Sequence, residues 1–209
     1  MAKRRLTELE AALGKTAEWL DSQSYRWALV GGLAVSARAE PRTTRDVDLA
    51  VHVKNDPEAE ALVFSLQAAG FRVIAAIEHD RAGRLATVRL QPPTRRMRGA
   101  VVDLLFASSG VEEELVSMAE RLEILPGLCV PVARTGHLIA LKILARDDVR
   151  RARDAEDLRA LLAEAESADL AMAREMLSLI AERGFGRGKD LGMEFERAQR
   201  ELGPRIPGG

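Results

Sequence analysis

Two aspartates, Asp46 and Asp48, stand in an otherwise apolar segment, DVDLAV, and Asp103 lies in a second one, VVDLLF. Side chains alternate between the two faces of a strand, so Asp46 and Asp48 point the same way. Asp is depleted in strands and an unpaired buried carboxylate is costly, so we expect a bound partner. If the two strands are neighbours, three carboxylates converge and can hold Mg²⁺ together with substrate phosphates. Two such ions could clamp the attacking and leaving oxygens of a phosphoryl displacement.

Each of these acids also has an ordinary explanation. Asp46 can cap the turn formed by the preceding RTTR, Asp48 can pair with an arginine, and Asp103 can end its strand. All three explanations at once are a poorer account than a shared site, because the acids accompany a glycine pair earlier in the chain.

That pair, Gly31-Gly32, follows the apolar run RWALV and precedes a helical segment. Glycine lets backbone approach backbone closely, and the N-terminus of a helix offers free N–H groups and partial positive charge to a phosphate. Alone, the pair can be no more than a tight turn. Arg42 and Arg45 flank the approach to the acidic strand, where each can contact a phosphate or neutralise the acids.

The elements that must position these residues follow from periodicity and from Pro and Gly signals. We expect Asp56 to cap a helix with Pro57 at its first position, and the LCVPV segment to lie at a sheet edge because proline cannot donate to a ladder. The predicted helices span residues 6–22, 33–40, 57–70 and 111–121, and the predicted strands span 26–30, 46–53, 71–77, 84–90, 100–107 and 128–132.

From residue 135 onward helical patterns dominate, over 135–147, 150–166 and 169–183. The predicted fold class is therefore α/β (α+β), a mixed sheet flanked by helices and followed by a helical region. We expect three parts: an α/β domain with an N-terminal helix over 1–132, a helical region over 133–183, and a Gly-rich, partly ordered tail over 184–209.

Composition excludes several classes of protein. Of 209 residues, 47% are hydrophobic and the formal net charge is −1, so no global charge draws the chain to nucleic acid or to a membrane. We find no secretory signal and no apolar run of membrane-spanning length. A single cysteine fits a reducing cytoplasm, where we expect the protein to be located. Three basic clusters, at 3–5, 94–98 and 150–153, either face water or hold an RNA backbone.

The Gly-Gly turn, the segment RTTRDVDLAV and the later Asp103 together resemble the nucleotidyltransferase superfamily, and most closely the AbiEii-like toxins and uncharacterised bacterial nucleotidyltransferases. The resemblance covers residues 26 to 163. It extends to Lys142 in HLIALKILARDD and to Asp157 in RDAEDLRALL, where that group has a lysine and a late acidic pair. From the residues alone, Lys142 either extends to the edge of an apolar stripe or points into a cleft, and Asp154 is expected on a solvated surface.

The resemblance implies an enzyme that transfers NMP from an NTP to an acceptor and releases pyrophosphate. Asp46, Asp48 and Asp103 would bind Mg²⁺ or Mn²⁺, with Asp103 as metal ligand or general base. Gly31, Gly32, Arg45 and Lys142 would hold the nucleotide, and Asp157 would position Lys142 or the acceptor.

The group implies tRNA or a protein as acceptor and a cognate antitoxin as partner. Two alternatives stay open: a small-molecule transferase of the antibiotic-modifying type, and a catalytically idle module that binds a nucleotide or a partner.

Overall fold

A computed structural model describes residues 7–79, 84–93, 100–146 and 152–203. The basic clusters at 3–5 and 94–98, and the side chains of 150–153, lie outside the described residues. The helices are Glu8–Ser22 (α1), Gly31–Arg38 (α2), Asp56–Ala68 (α3), Glu112–Ser117 (α4), Thr135–Ala145 (α5), Ala152–Glu164 (α6), Ser167–Glu182 (α7) and Leu191–Leu202 (α8). The strands are Trp27–Val30 (β1), Asp46–Val51 (β2), Arg72–His79 (β3), Arg84–Gln91 (β4), Val101–Leu105 (β5), Glu120–Leu125 (β6) and Leu128–Val132 (β7).

The strands form one seven-stranded sheet in the order β3-β4-β5-β2-β1-β7-β6. The pairs β2–β5 and β1–β7 are parallel and the other neighbours are antiparallel. The predicted mixed α/β architecture is confirmed. The central position of β2 and β5 matters most, because these two strands carry the three aspartates.

Two helix starts show how the sequence sets the boundaries. The Thr7 hydroxyl accepts from the Glu10 N–H and the Glu10 carboxylate accepts from the Thr7 N–H, which is a capping box at α1. Before α3 the cap is Asn55, whose side chain accepts from the Glu58 N–H. The prediction of Asp56 as this cap is wrong by one residue; its carboxylate instead accepts from Arg84 on β4.

The segment after β5 differs from the prediction. The helix predicted over 111–121 ends at Ser117, and β6 begins at Glu120. This extra strand covers the outer side of β7, so β7 lies one strand inside the sheet edge. Pro131 is tolerated there because β7 pairs with β1 only at Leu29 and Val132.

The helical half packs onto the same core as the sheet. One hydrophobic cluster contains Leu29 and Val132 from the sheet together with Ile139 from α5 and Phe195 from α8. Burial of this continuous apolar surface is the main force holding the helices against the sheet. The division at residues 132 and 133 stays a prediction. In the described part of the chain, no helix has the length and apolar character needed to cross a membrane.

Candidate nucleotide-transfer site

The two aspartates of β2 point to one face of the sheet. Val47 between them is fully buried, whereas the Asp46 side chain is 46% exposed. Asp48 lies opposite Val30 on β1 and opposite Asp103 on β5. Because residues in register on neighbouring strands share a face, the three predicted carboxylates do converge.

Gly31 and Gly32 bring the start of α2 against Asp48. Gly31 has φ of +63°, and a Cβ at this position would lie 2.5 Å from the Asp48 Cγ. A Cβ on Gly32 would lie 2.8 Å from the Thr44 hydroxyl oxygen. The Gly32 N–H favours the charged form of the Asp48 carboxylate and lowers its pKa. The glycine pair therefore serves a close contact, beyond making a turn.

The environment of Asp48 disfavours its negative charge. Burial raises its pKa to about 6, with further contributions from the nearby carboxylates of Asp103 and Asp46. Lys142 and the Gly32 N–H act in the opposite direction. Three carboxylates near one another repel, and a cation placed between them relieves this repulsion.

Asp103 has a partner that the sequence did not reveal. Arg89 on β4 lies opposite Asp103 in the ladder. Its Nε donates to Asp103 Oδ1 at 2.8 Å and its Nη2 to Asp103 Oδ2 at 2.6 Å. The same Nη2 lies 3.9 Å from Asp46 Oδ2. Both oxygens of the third carboxylate thus accept from one guanidinium, a bidentate pair with fixed geometry.

The predicted residues of the helical half form an ion network behind α2. Lys142 Nζ on α5 lies 2.6 Å from Asp157 Oδ2 and 2.9 Å from Asp154 Oδ1, both on α6. Arg42 also pairs with Asp157, its Nη2 donating to Oδ2 at 2.8 Å. Asp157 is only 1% exposed. Two cations and two carboxylates balance, as a buried network must.

Two expectations about this region change. Asp154 is nearly buried beside Lys142, so the prediction of a solvated surface for it is wrong. Arg42 pairs with Asp157 and not with the sheet acids, so it ties the turn before β2 to α6; its contact with a phosphate stays a prediction.

A cleft of about 1170 Å³ opens over these groups. The glycines and acids of the sheet line one side, Leu138, Leu141 and Lys142 of α5 line another, and exposed Arg45 also faces it. The residues that line the cleft and were predicted from sequence are Gly31, Gly32, Arg42, Arg45, Asp46, Asp48 and Lys142. Asp103 flanks Asp48, and Asp157 lies behind Lys142.

Asp46 and Asp48 can supply part of the ligand shell of a divalent cation. Asp46 and Asp48 are hard oxygen ligands at one edge of the cleft, and Mg²⁺ commonly takes one or two carboxylates and completes its shell with waters and substrate phosphates. Within the described ranges, no three His, Cys, Asp or Glu side chains are arranged to hold a metal by themselves. The pair thus suits a cation that arrives with a phosphate-bearing substrate.

Solved structures share this fold. An antigenic nucleotidyltransferase-like protein from Paracoccidioides brasiliensis is 21% identical with a TM-score of 0.55, over 90% of this chain and 92% of its own. The antibiotic-resistance factor ANT(2'')-Ia is 18% identical with a TM-score of 0.50, over 90% of this chain and 96% of its own. Among curated proteins, no sequence matches significantly.

The mixed sheet is similar to these nucleotidyltransferase folds, and the Gly-Gly turn and the paired aspartates lie at its cleft. The family described as "Nucleotidyl transferase AbiEii toxin, Type IV TA system" matches residues 17–204. The chain belongs to this AbiEii nucleotidyltransferase family, and the predicted resemblance is confirmed.

Proposed function

We propose that this enzyme transfers NMP from an NTP to tRNA or a protein in a Mg²⁺-dependent reaction, as the toxin of a toxin–antitoxin pair. Family membership supports NMP transfer and an antitoxin partner. The observation that carries the proposal is the close approach of Gly31 to Asp48, because it puts a helix N-terminus and two carboxylates at one cleft. An NTP substrate favours a cytoplasmic location.

In the proposed reaction, an acceptor hydroxyl gives up its proton to water and its oxygen attacks the α-phosphorus of the NTP. The bond from that phosphorus to the oxygen leading to the β-phosphate breaks, and pyrophosphate leaves. Transfer of this kind depends mainly on positioning and charge stabilisation. A Mg²⁺ ion bound with the NTP would supply positive charge at the phosphate oxygens.

The protein groups divide this work. Asp46 and Asp48 are the proposed cation ligands. Because the N-terminus of a helix favours anions, the start of α2 at Gly31 and Gly32 would receive the triphosphate.

Two cationic side chains add to the phosphate site. Arg45 is exposed at the cleft and available to a phosphate. Lys142 faces the same cleft, and Asp157 holds its ammonium in place. We therefore assign Lys142 to phosphate binding and Asp157 to positioning Lys142.

The proposal is tested by label transfer. Purified protein is incubated with Mg²⁺, each α-labelled NTP in turn, total bacterial RNA and cell extract. We expect label in RNA or in one protein band, lost in Asp48→Asn. The matched control is Asp169→Asn, the same change at the first turn of α7, which keeps an oxygen to accept from the Glu166 N–H. Transfer by a folded Asp48→Asn variant would refute the cation assignment.

The toxin role needs a separate test in cells. We expect induced expression to arrest growth, Asp48→Asn to relieve the arrest and Asp169→Asn to retain it. A neighbouring gene whose product restores growth would identify the antitoxin. Arrest that persists with Asp48→Asn would contradict a toxicity based on nucleotide transfer.

The acceptor alternatives are outcomes of the same assay. The shared fold with ANT(2'')-Ia makes a small-molecule acceptor the second candidate. Antibiotic resistance without growth arrest, with label only in small molecules, would favour it. Absence of transfer together with absence of NTP binding would favour an idle binding module.

A further inference from the structure

We propose that Arg89 is a fixed cation of the active site, held by Asp103 beside Asp46, and that it supplies the positive charge that a second metal ion would supply, so that the site takes one divalent cation. This inference rests on the proposed function, since it concerns the same reaction. It replaces the prediction that Asp103 is a metal ligand or general base: Asp103 becomes the positioning residue of Arg89.

The geometry of one nitrogen atom carries the inference. Arg89 Nη2 lies 2.6 Å from Asp103 Oδ2 and 3.9 Å from Asp46 Oδ2. It therefore lies near carboxylates of two neighbouring strands, β5 and β2. Asp103 accepts from Arg89 with both oxygens, which leaves neither oxygen without a donor.

Strand register fixes the position of Arg89 relative to the three aspartates. Arg89 on β4, Asp103 on β5 and Asp48 on β2 are successive partners in one row across the sheet. Residues in such a row keep their face and spacing as long as the sheet is paired. The pairing of β4, β5 and β2 thus places Arg89 on the same face of the sheet as Asp46 and Asp48.

The chemistry of arginine suits this role. A guanidinium stays charged at every working pH and its planar fork matches a carboxylate on one side. The Arg89 side chain is 44% exposed, whereas that of Asp103 is 12% exposed. A half-exposed ion pair contributes little to folding stability, so stability alone is a weak reason for it. Its remaining exposed edge can face a phosphate oxygen.

The test counts bound Mn²⁺ per chain, from the free Mn²⁺ signal in electron paramagnetic resonance, with the metal alone as probe. Arg89→Gln removes the charge and releases the Asp103 carboxylate. We expect this variant to bind one more Mn²⁺ per chain than the wild type, and Arg89→Ala to do the same. Arg89→Lys, which keeps the charge, should retain the wild-type count.

Two further variants exclude trivial explanations. Arg89→Gln with Asp103→Asn should return to the wild-type count, because the additional ion needs the Asp103 carboxylate. Arg72→Gln is the matched control, a surface arginine on β3 that donates to Gln91 on β4. It should leave the count unchanged. Thermal melts of all variants report folding.

Equal counts in the wild type and in the folded Arg89→Gln and Arg89→Ala variants would overturn the inference, whatever the count is. The label-transfer assay is independent of this comparison. Transfer with equal counts would leave the proposed function intact and remove the role of Arg89. An additional ion bound by Arg89→Gln and Arg89→Ala, with no transfer by the wild type, would support the role of Arg89 and count against the proposed function.

Discussion

Replacement of Gly31 by alanine should lower transfer by about 100-fold while the protein stays folded. Two costs arise at this position. Gly31 has φ of +63°, a left-handed conformation that L side chains adopt at a cost. Its new Cβ would also overlap the Asp48 carboxylate and lie 2.8 Å from the Asp48 Cβ. Because the contact involves atoms close to the Asp48 backbone, rotation of a flexible side-chain end cannot relieve all of it.

The backbone cost lowers stability, whereas the overlap lowers stability and also displaces Asp48. The backbone cost is about 1–2 kcal/mol, and each kcal/mol lowers the Tm of a domain of this size by roughly 2–4 °C. A fall of about 2–8 °C therefore leaves the protein folded at 25 °C. Displacement of Asp48 by about 1 Å lowers transfer by about 100-fold, because misplaced catalytic groups lose that much.

Gly127 provides the matched control. It has φ of +81°, and nothing lies within 4 Å of a Cβ built on it. Gly127→Ala in the β6–β7 turn therefore carries the backbone cost without the overlap. By differential scanning calorimetry we expect both variants to lose Tm, and Gly31→Ala to lose more because the overlap adds to the backbone cost. Only Gly31→Ala should lose transfer in the α-labelled NTP assay.

The outcome that refutes this reasoning is equal transfer by folded Gly31→Ala and Gly127→Ala. Such a result would mean that α2 shifts without moving Asp48, or that the position of Asp48 is not needed. A larger loss of Tm in Gly31→Ala, with transfer kept, would mean that the contact between Gly31 and Asp48 stabilises the fold and is not needed for transfer.

Three further predictions concern charge. Asp157→Asn leaves Arg42 and Lys142 without a full counter-charge and should cost about 3–5 kcal/mol in chemical denaturation; a loss no greater than that of Asp169→Asn would contradict this. The pKa of Asp48 is raised to about 6, so the stability that Asp48 contributes without metal, measured in EDTA, should fall as pH rises from 4 to 6. In a separate titration without EDTA, Mn²⁺ affinity should rise roughly tenfold per pH unit up to about 6. Affinity independent of pH would contradict it. Burial, then the nearby Arg134, lowers the pKa of His137 to about 4, so the stability that this histidine contributes should be lost as pH falls from 6.5 to 4; melts of His137→Leu should lack that loss.

The sequence predicted the acidic cluster because strand periodicity is a local property. Alternation over DVDLAV gives Asp46 and Asp48 one face, and an aspartate inside VVDLLF needs a partner wherever its strand lies. The strand β6 was missed for a local reason too. Its pattern, ERLEIL, alternates weakly and follows a segment with acidic, helix-compatible residues, so the predicted helix extended over its start.

Arg89 could not be predicted in the same way, because its role depends on register between strands. In RLATVRL it looks like any outward residue of an alternating strand. Only the pairing of β4 with β5, which places it opposite Asp103, gives its charge a specific target. The pairing of Arg42 with Asp157 is likewise set by tertiary packing, 115 positions apart in the chain.

The ion network around Asp157 explains why the helical half matters to a site built on the sheet. Lys142 influences Asp48 across the cleft, since its charge lowers the pKa of that carboxyl. Asp157 holds Lys142 from α6 and also holds Arg42 in the turn that leads into β2. One buried carboxylate therefore fixes a cation of the cleft and the approach to the acidic strand together. A displacement of α6 would alter both, so the position of the helices affects the electrostatic environment of Asp48.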